Sequence, residues 1–243
     1  MKNSAAALIL AILPACAAAQ TGSREEFDAA AVKSVEVRTV AGDISLETSP
    51  APKASVEVSE NDPQKCAVTV ELKGGRLLAE AKNLKKLSWG DSSCRAAFRV
   101  RAPTAAKLTA ISVSGKVAAA GFSGDVTLES VSGNVKAAGV SRSLRLKTVS
   151  GNAALSRLAG PLDAETVSGG INAAWTAPPG KEGVRVQTVS GDAELAFTAM
   201  TALAAVESKT LGSVSNEFPA DPAGAPVRFK SVSGDLRIKK APR

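Results

Sequence analysis

Carboxylates are the catalytic groups this chain could still use, because the sequence contains no histidine and no tyrosine. Histidine is the usual general base and the commonest metal ligand near neutral pH, so its absence removes Ser-His-Asp, Cys-His and His-zinc chemistry together. A sugar-cleaving enzyme would need two or three gathered carboxylates, a cation and an aromatic-lined groove. Asp192 and Asp235 occupy the same place in a recurring motif, but a degenerate copy of that motif lies between them, which predicts that they stand apart. Trp175 has no acidic neighbour in sequence, and Trp89 has only Asp91. No catalytic, cofactor or metal residue is assigned, and the chain is expected not to be an enzyme.

The three cysteines carry different chemistry. Cys16 falls in MKNSAAALILAILPACAAAQ, where one lysine, an apolar run from Ala5 to Leu13 and then small residues make the pattern of a signal peptide, residues 1–19. The run is too short to span a bilayer and no later segment reaches the required ~20 apolar residues, so an exported protein without a transmembrane helix after the signal peptide is expected. Two processing readings stay open. Ala17-Ala18-Ala19 suits ordinary cleavage and a soluble periplasmic or cell-surface chain, whereas Leu13-Pro14-Ala15-Cys16 resembles a lipobox that would anchor the chain through a lipid on Cys16. On either reading Cys66 and Cys94 remain as a pair. An oxidising compartment makes them a disulfide, worth about 3 kcal/mol when unstrained, and the C-x-x-C spacing of a redox pair is absent.

The surface chemistry is basic but dilute. A formal net charge of +7 over 243 residues favours anionic partners, such as an envelope polysaccharide or an anionic lipid surface, with another envelope protein also open. The cations form no block and only 3% of residues are aromatic, so nucleic-acid binding is not expected. Arg145, Lys147 and Arg185 are either contacts for such a ligand or an ordinary solvated sheet face, and the second reading is preferred because Glu129, Asp163 and Glu165 mix the signs. Trp175 and Phe197, each six residues after a corner glycine, are either a ring platform for sugars or fillers of enlarged coils, and the second reading is preferred.

What must position all of these is a repeat. Ser/Thr-Val-Ser-Gly recurs with its glycine at Gly115, Gly133, Gly151, Gly169, Gly191 and Gly234, and the first four glycines are eighteen residues apart. A degenerate copy is placed at Ser213-Val214-Ser215-Asn216. Each period holds two short alternating strands and two turns: Val135 and Ala137 point one way with Lys136 the other, then Leu144 and Leu146 with Arg145 and Lys147 outward. A strand pair with one apolar face cannot bury it alone, so successive copies must stack in register about 4.8 Å apart. The prediction is an all-β chain: a β-solenoid of about 18 residues per rung over residues 111–240, about seven rungs and roughly 33 Å long. Asn134, Asn152, Asp192 and Asp235 follow the corner glycines, where Asx side chains satisfy turn backbone; a calcium ladder is the weaker reading, because Lys116 and Gly170 share that column.

Residues 32–110 lack the eighteen-residue period. Strands are expected at Val32 to Thr39, Gly42 to Thr48, Val68 to Leu72, Arg76 to Ala81, Ala97 to Arg101 and Leu108 to Val113, forming an irregular β-rich N-terminal cap. A sandwich-like cap and broader rungs both fit. Residues 20–31 are expected as a linker and 241–243 as a tail. Pro226 and the basic final residues argue for a closed, monomeric end.

The strand Phe98-Arg99-Val100-Arg101-Ala102-Pro103, leading into Ala110-Ile111-Ser112-Val113-Ser114-Gly115, together with the repeated Val-Ser-Gly-Asn/Asp corners, resembles the bacterial putative-adhesin family. The resemblance covers roughly Val32 to Lys239 and implies an exported, envelope-located β-solenoid without known catalytic residues. The function expected is a non-enzymatic structural or adhesin-like binding module of the cell envelope. A carbohydrate-active enzyme on a β-helix and a self-assembling envelope scaffold are the alternatives.

Overall fold

The computed structural model describes residues 22–84 and 94–241; the signal-peptide segment with Cys16, the pair Trp89 and Asp91, and Arg243 lie outside the described residues. The N-terminal strands are β1 (Ser23–Asp28), β2 (Ser34–Ala41), β3 (Ile44–Thr48), β4 (Lys53–Ser59), β5 (Cys66–Lys73), β6 (Arg76–Asn83) and β7 (Ala97–Ala102). The repeat region contributes β8 (Lys107–Ser114) and β9 (Val117–Ala120), β10 (Asp125–Ser132) and β11 (Val135–Ala138), β12 (Ser143–Ser150) and β13 (Ala153–Leu158). It continues with β14 (Leu162–Ser168) and β15 (Ile171–Trp175), β16 (Val184–Gln187) and β17 (Ala193–Phe197), β18 (Leu203–Lys209) and β19 (Val214–Asn216), and β20 (Ala225–Lys230) and β21 (Leu236–Lys240). Two sheets result, one of eleven strands and one of ten, and a coil takes one strand from each.

Period-two patterning decides which side chains face inward. In β10, Val126, Leu128 and Ser130 are buried while Asp125, Thr127 and Glu129 are half-exposed. Parallel registry then lays like over like. Leu108, Val126, Leu144, Leu162, Val184 and Val227 form one column of the ten-stranded sheet. Val117, Val135, Ala153, Ile171, Ala193 and Leu236 form its counterpart in the eleven-stranded sheet. Fully burying each such Val, Leu or Ile contributes about 1.5–3 kcal/mol, and the columns fuse into one core running through the N-terminal and repeat regions alike.

The stack does not follow chain order at either end. Near the N-terminus, β2 and β3 lie between β6/β7 on one side and β8/β9 on the other. Residues 32–110 therefore continue both sheets as coils, and the closing cap consists of strands antiparallel to their neighbours, β5 on β6, β4 on β7 and β1 on β4. Cys66 and Cys94 form a disulfide that ties the start of β5 to the residues just before β7. At the other end, β20 and β21 pack directly on β16 and β17, and β18/β19 lie outside them. Three expectations are corrected by this order. Asp192 and Asp235 are on adjacent coils with nothing between them. Pro226, Lys239 and Lys240 belong to an interior coil and close no edge. The degenerate corner is Thr210-Leu211-Gly212, one residue short of the motif, because Gly212, and not Asn216, sits over the Gly234 carbonyl.

Candidate binding surface

Each coil turns between the sheets through the same stacked corner. A Cβ built on Gly115, Gly133, Gly151, Gly169, Gly191 or Gly234 would overlap the carbonyl oxygen of the corner glycine in the coil below. The residue after the glycine fastens successive corners. The backbone N–H of Asn152 donates to Asn134 Oδ1 (3.0 Å), that of Gly170 to Asn152 Oδ1 (2.9 Å) and that of Asp235 to Asp192 Oδ1 (2.8 Å). Asp235 in turn accepts the Ser213 N–H at 2.7 Å. The two aspartates thus serve as backbone acceptors, and among the described residues no three acidic or cysteine side chains gather as a metal-binding group.

The Asp235 carboxyl is held below the ordinary aspartate value, chiefly by the Ser213 backbone N–H and further by hydrogen bonding with Ser213 and the charge of Arg237. A depressed folded-state pKa stabilises the fold above the unfolded value and loses that contribution as pH falls through the folded value. The thermal midpoint is therefore expected to drop on acidification from about pH 5 to about pH 2, and to drop less in Asp235→Asn, which keeps an acceptor oxygen without the titration. Melting curves recorded across this range check it; parallel acid profiles for the two proteins would count against it.

Outside the corner the motif's valine points to solvent. Val113, Val131, Val149, Val167 and Val189 are each close to half-exposed, and with Val232 and Leu211 they form a ridge along the stack. A groove of about 610 Å³ runs beside it, bordered by Ile111, Glu129, Lys147, Glu165, Gln187 and Lys230.

The expected basic residues divide into two groups on the outer face of the ten-stranded sheet. Arg145 is paired across coils with Asp163 (3.5 Å) and Lys147 with Glu165 (3.2 Å), so both are locally neutralised. Arg185 is brought together with Arg228, Lys230 and Lys209 around a shallow depression of about 560 Å³, in which Glu207 is the single lining carboxylate. Glu207 pairs with Arg228 at 3.1 Å, whereas Arg185, Lys209 and Lys230 have no ion-pair partner among the described residues. Lys209 was not foreseen, and reading Thr210-Leu211-Gly212 as the shortened corner would have placed it beside Lys230.

Trp175 and Phe197 are not on this surface. Both are buried, their rings stacked at 4.6 Å, with Phe218 edge-on to Phe197 at 6.1 Å and the Trp175 indole N–H donating to the Gly160 carbonyl at 2.9 Å. They fill the wider coils at the C-terminal end, so the ring platform is withdrawn.

Parallel strands coiled around one aliphatic core, with glycine corners stacked over one another, define an all-β, solenoid-like protein. The chain belongs to the Toastrack DUF4097 family, whose model matches residues 29–239. It is also similar to a solved structure from Parabacteroides distasonis described as a putative lipid binding protein, at 18% identity and TM-score 0.48, covering 91% of this chain and 97% of that one. A putative adhesin from Bacteroides fragilis matches at 16% identity and TM-score 0.44, over 92% and 99%. A putative cell adhesion protein from Clostridium sporogenes matches at 12% and 0.42, over 91% and 100%. No curated protein matches the chain. Among the described residues no helix is long and apolar enough to cross a membrane.

Proposed function

We propose that the protein is a non-enzymatic, adhesin-like binding module of the cell envelope. In this reading it is exported to the periplasm or cell surface as a β-solenoid of about 18 residues per rung, and it holds anionic polysaccharide against the C-terminal part of its ten-stranded sheet. The observation that carries the reading is the cluster of Arg185, Arg228, Lys230 and Lys209 around one carboxylate, after every other cation foreseen on that face has been paired with an acid of the next coil. Registry sets Arg185 beside Arg228 and Lys230 beside Lys209, each pair about 4.8 Å apart along the stack, so that neighbouring anionic groups of a polymer can engage both pairs. Exposed charge pairs are worth ~0.3–1 kcal/mol each, so useful affinity needs several engaged together.

Retention on an immobilised polyuronate at rising salt tests this. Arg185→Ala with Lys230→Ala is expected to weaken retention about three- to tenfold at low salt, while Arg145→Ala with Lys147→Ala changes it little, because those two are already neutralised. Equal losses from the two double variants, or retention indifferent to salt, would remove the assigned surface.

A further inference from the structure

The two ends of the stack are finished differently. At the N-terminal end the outermost strands, β1 and β5, run antiparallel to their neighbours. At the C-terminal end β18 and β19 are ordinary parallel members of a coil, and among the described residues their outer edges are unpaired except at Leu203, which bridges Ala220 and accepts the Asp221 N–H at 2.8 Å. The Lys209 carbonyl accepts the Ser231 N–H at 2.8 Å, so alternation turns the N–H and C=O of Val206 and Ser208 away from the stack. The Ser213 carbonyl accepts the Leu236 N–H at 2.9 Å and the Glu217 N–H donates to Ile238 at 3.1 Å, which turns Val214 and Asn216 outward in the same way. Around these edges Met200 is 95% exposed and Leu211 88%. An open edge of this kind is a template for another strand.

We propose that two copies of this chain associate tail to tail through these edges, β18 against its counterpart and β19 against its own, around a two-fold axis. The order of charges along β18 selects a second copy. Antiparallel pairing centred on Ser208 makes the two Ser208 residues a hydrogen-bonded pair, which their outward N–H and C=O require. Glu207 then lies directly opposite Lys209 of the second copy, and Lys209 opposite Glu207, in the closer-spaced positions where cross-strand side chains interact. The pairing is isologous and closes on itself, so it yields a dimer and no filament. With the axis perpendicular to the sheets, both outer faces stay on one side, and the Arg185, Arg228 and Lys230 groups of the two copies flank a seam of Glu207–Lys209 pairs. The assembly goes beyond the polysaccharide reading and does not depend on it.

Sedimentation velocity of the purified protein without any polymer is the test, with circular dichroism and melting curves confirming that each variant is folded. The native chain is expected at twice the monomer mass. Lys209→Glu places like charges opposite each other and is expected to weaken the dimer at least about tenfold. The exchange Glu207→Lys with Lys209→Glu restores the opposition and is expected to restore the dimer. Ser208→Pro removes the central outward donor and is expected to give monomer. A native chain that stays monomeric up to about 1 mM overturns the proposal, as do an open-ended polymer, a dimer that Lys209→Glu leaves intact, or a charge exchange that fails to recover it.

Discussion

Gly151→Val is expected to cost about 3 kcal/mol or more and to lower the melting midpoint by about 6 to 12 °C. Two effects combine at this position. Its φ is +149°, a conformation in which a β-branched side chain is strained, and any Cβ there overlaps the Gly133 carbonyl oxygen. The overlap cannot be relieved by a side-chain rotation, because the obstacle is backbone. Moving Gly151 away lengthens the corner hydrogen bonds to the coils below and above, where Asn152 donates to Asn134 and Gly170 to Asn152. Gly74, in the turn between β5 and β6, makes the contrast. It also has positive φ, at +59°, but a Cβ there meets nothing within 4 Å, so Gly74→Ala should cost only about 1 kcal/mol. Urea unfolding of the two variants measures the difference, and equal costs would show that the stacked corner is not what demands glycine.

Much of this architecture is legible in the sequence because one physical constraint repeats. Every coil must turn under the coil above it, so the glycine recurs, and the inward positions recur as Leu, Val or Ala at fixed offsets from it. The same periodicity places Arg145, Lys147 and Arg185 on the outer face. It cannot say which cations remain unpaired, because Asp163 and Glu165 neutralise the first two only through contacts between coils. The order of coils is illegible for a different reason. Registry depends on local patterning within each coil, and β20 fits against β16 as well as against β18, so nothing local in the chain announces that β18/β19 is passed over. The deleted serine in Thr210-Leu211-Gly212 is the one trace, and a search for the intact motif finds Ser213-Val214-Ser215-Asn216 instead. Trp175 and Phe197 were legible as fillers because an insertion of Pro178 to Gly183 widens the coil, and added volume in a close-packed interior has to be occupied.

The order of the last two coils carries the second large effect. Were the coils stacked as they follow in the chain, ending the protein after Ser233 would trim half of a terminal coil, and the remainder would keep its core. In the observed order β21 lies between β17 and β19. Removing it withdraws Leu236 and Ile238 from the core, strips β19 of its one neighbour and exposes the inner edge of β17. The Asp235 carboxylate that accepts the Ser213 N–H goes with it, and so does the Lys239 ion pair to Glu194. Burial of the two side chains alone contributes about 3–6 kcal/mol, and the ladder hydrogen bonds of a central strand add to it. Against the 5–15 kcal/mol that usually separates native from unfolded chains, a loss of about 5 kcal/mol or more should leave the C-terminal coils without a cooperative transition. Urea unfolding followed by tryptophan fluorescence reads this out, because Trp175 stacks on Phe197 of β17, next to the strand removed. A truncated chain that unfolds at the native midpoint would mean that β21 is a terminal strand after all.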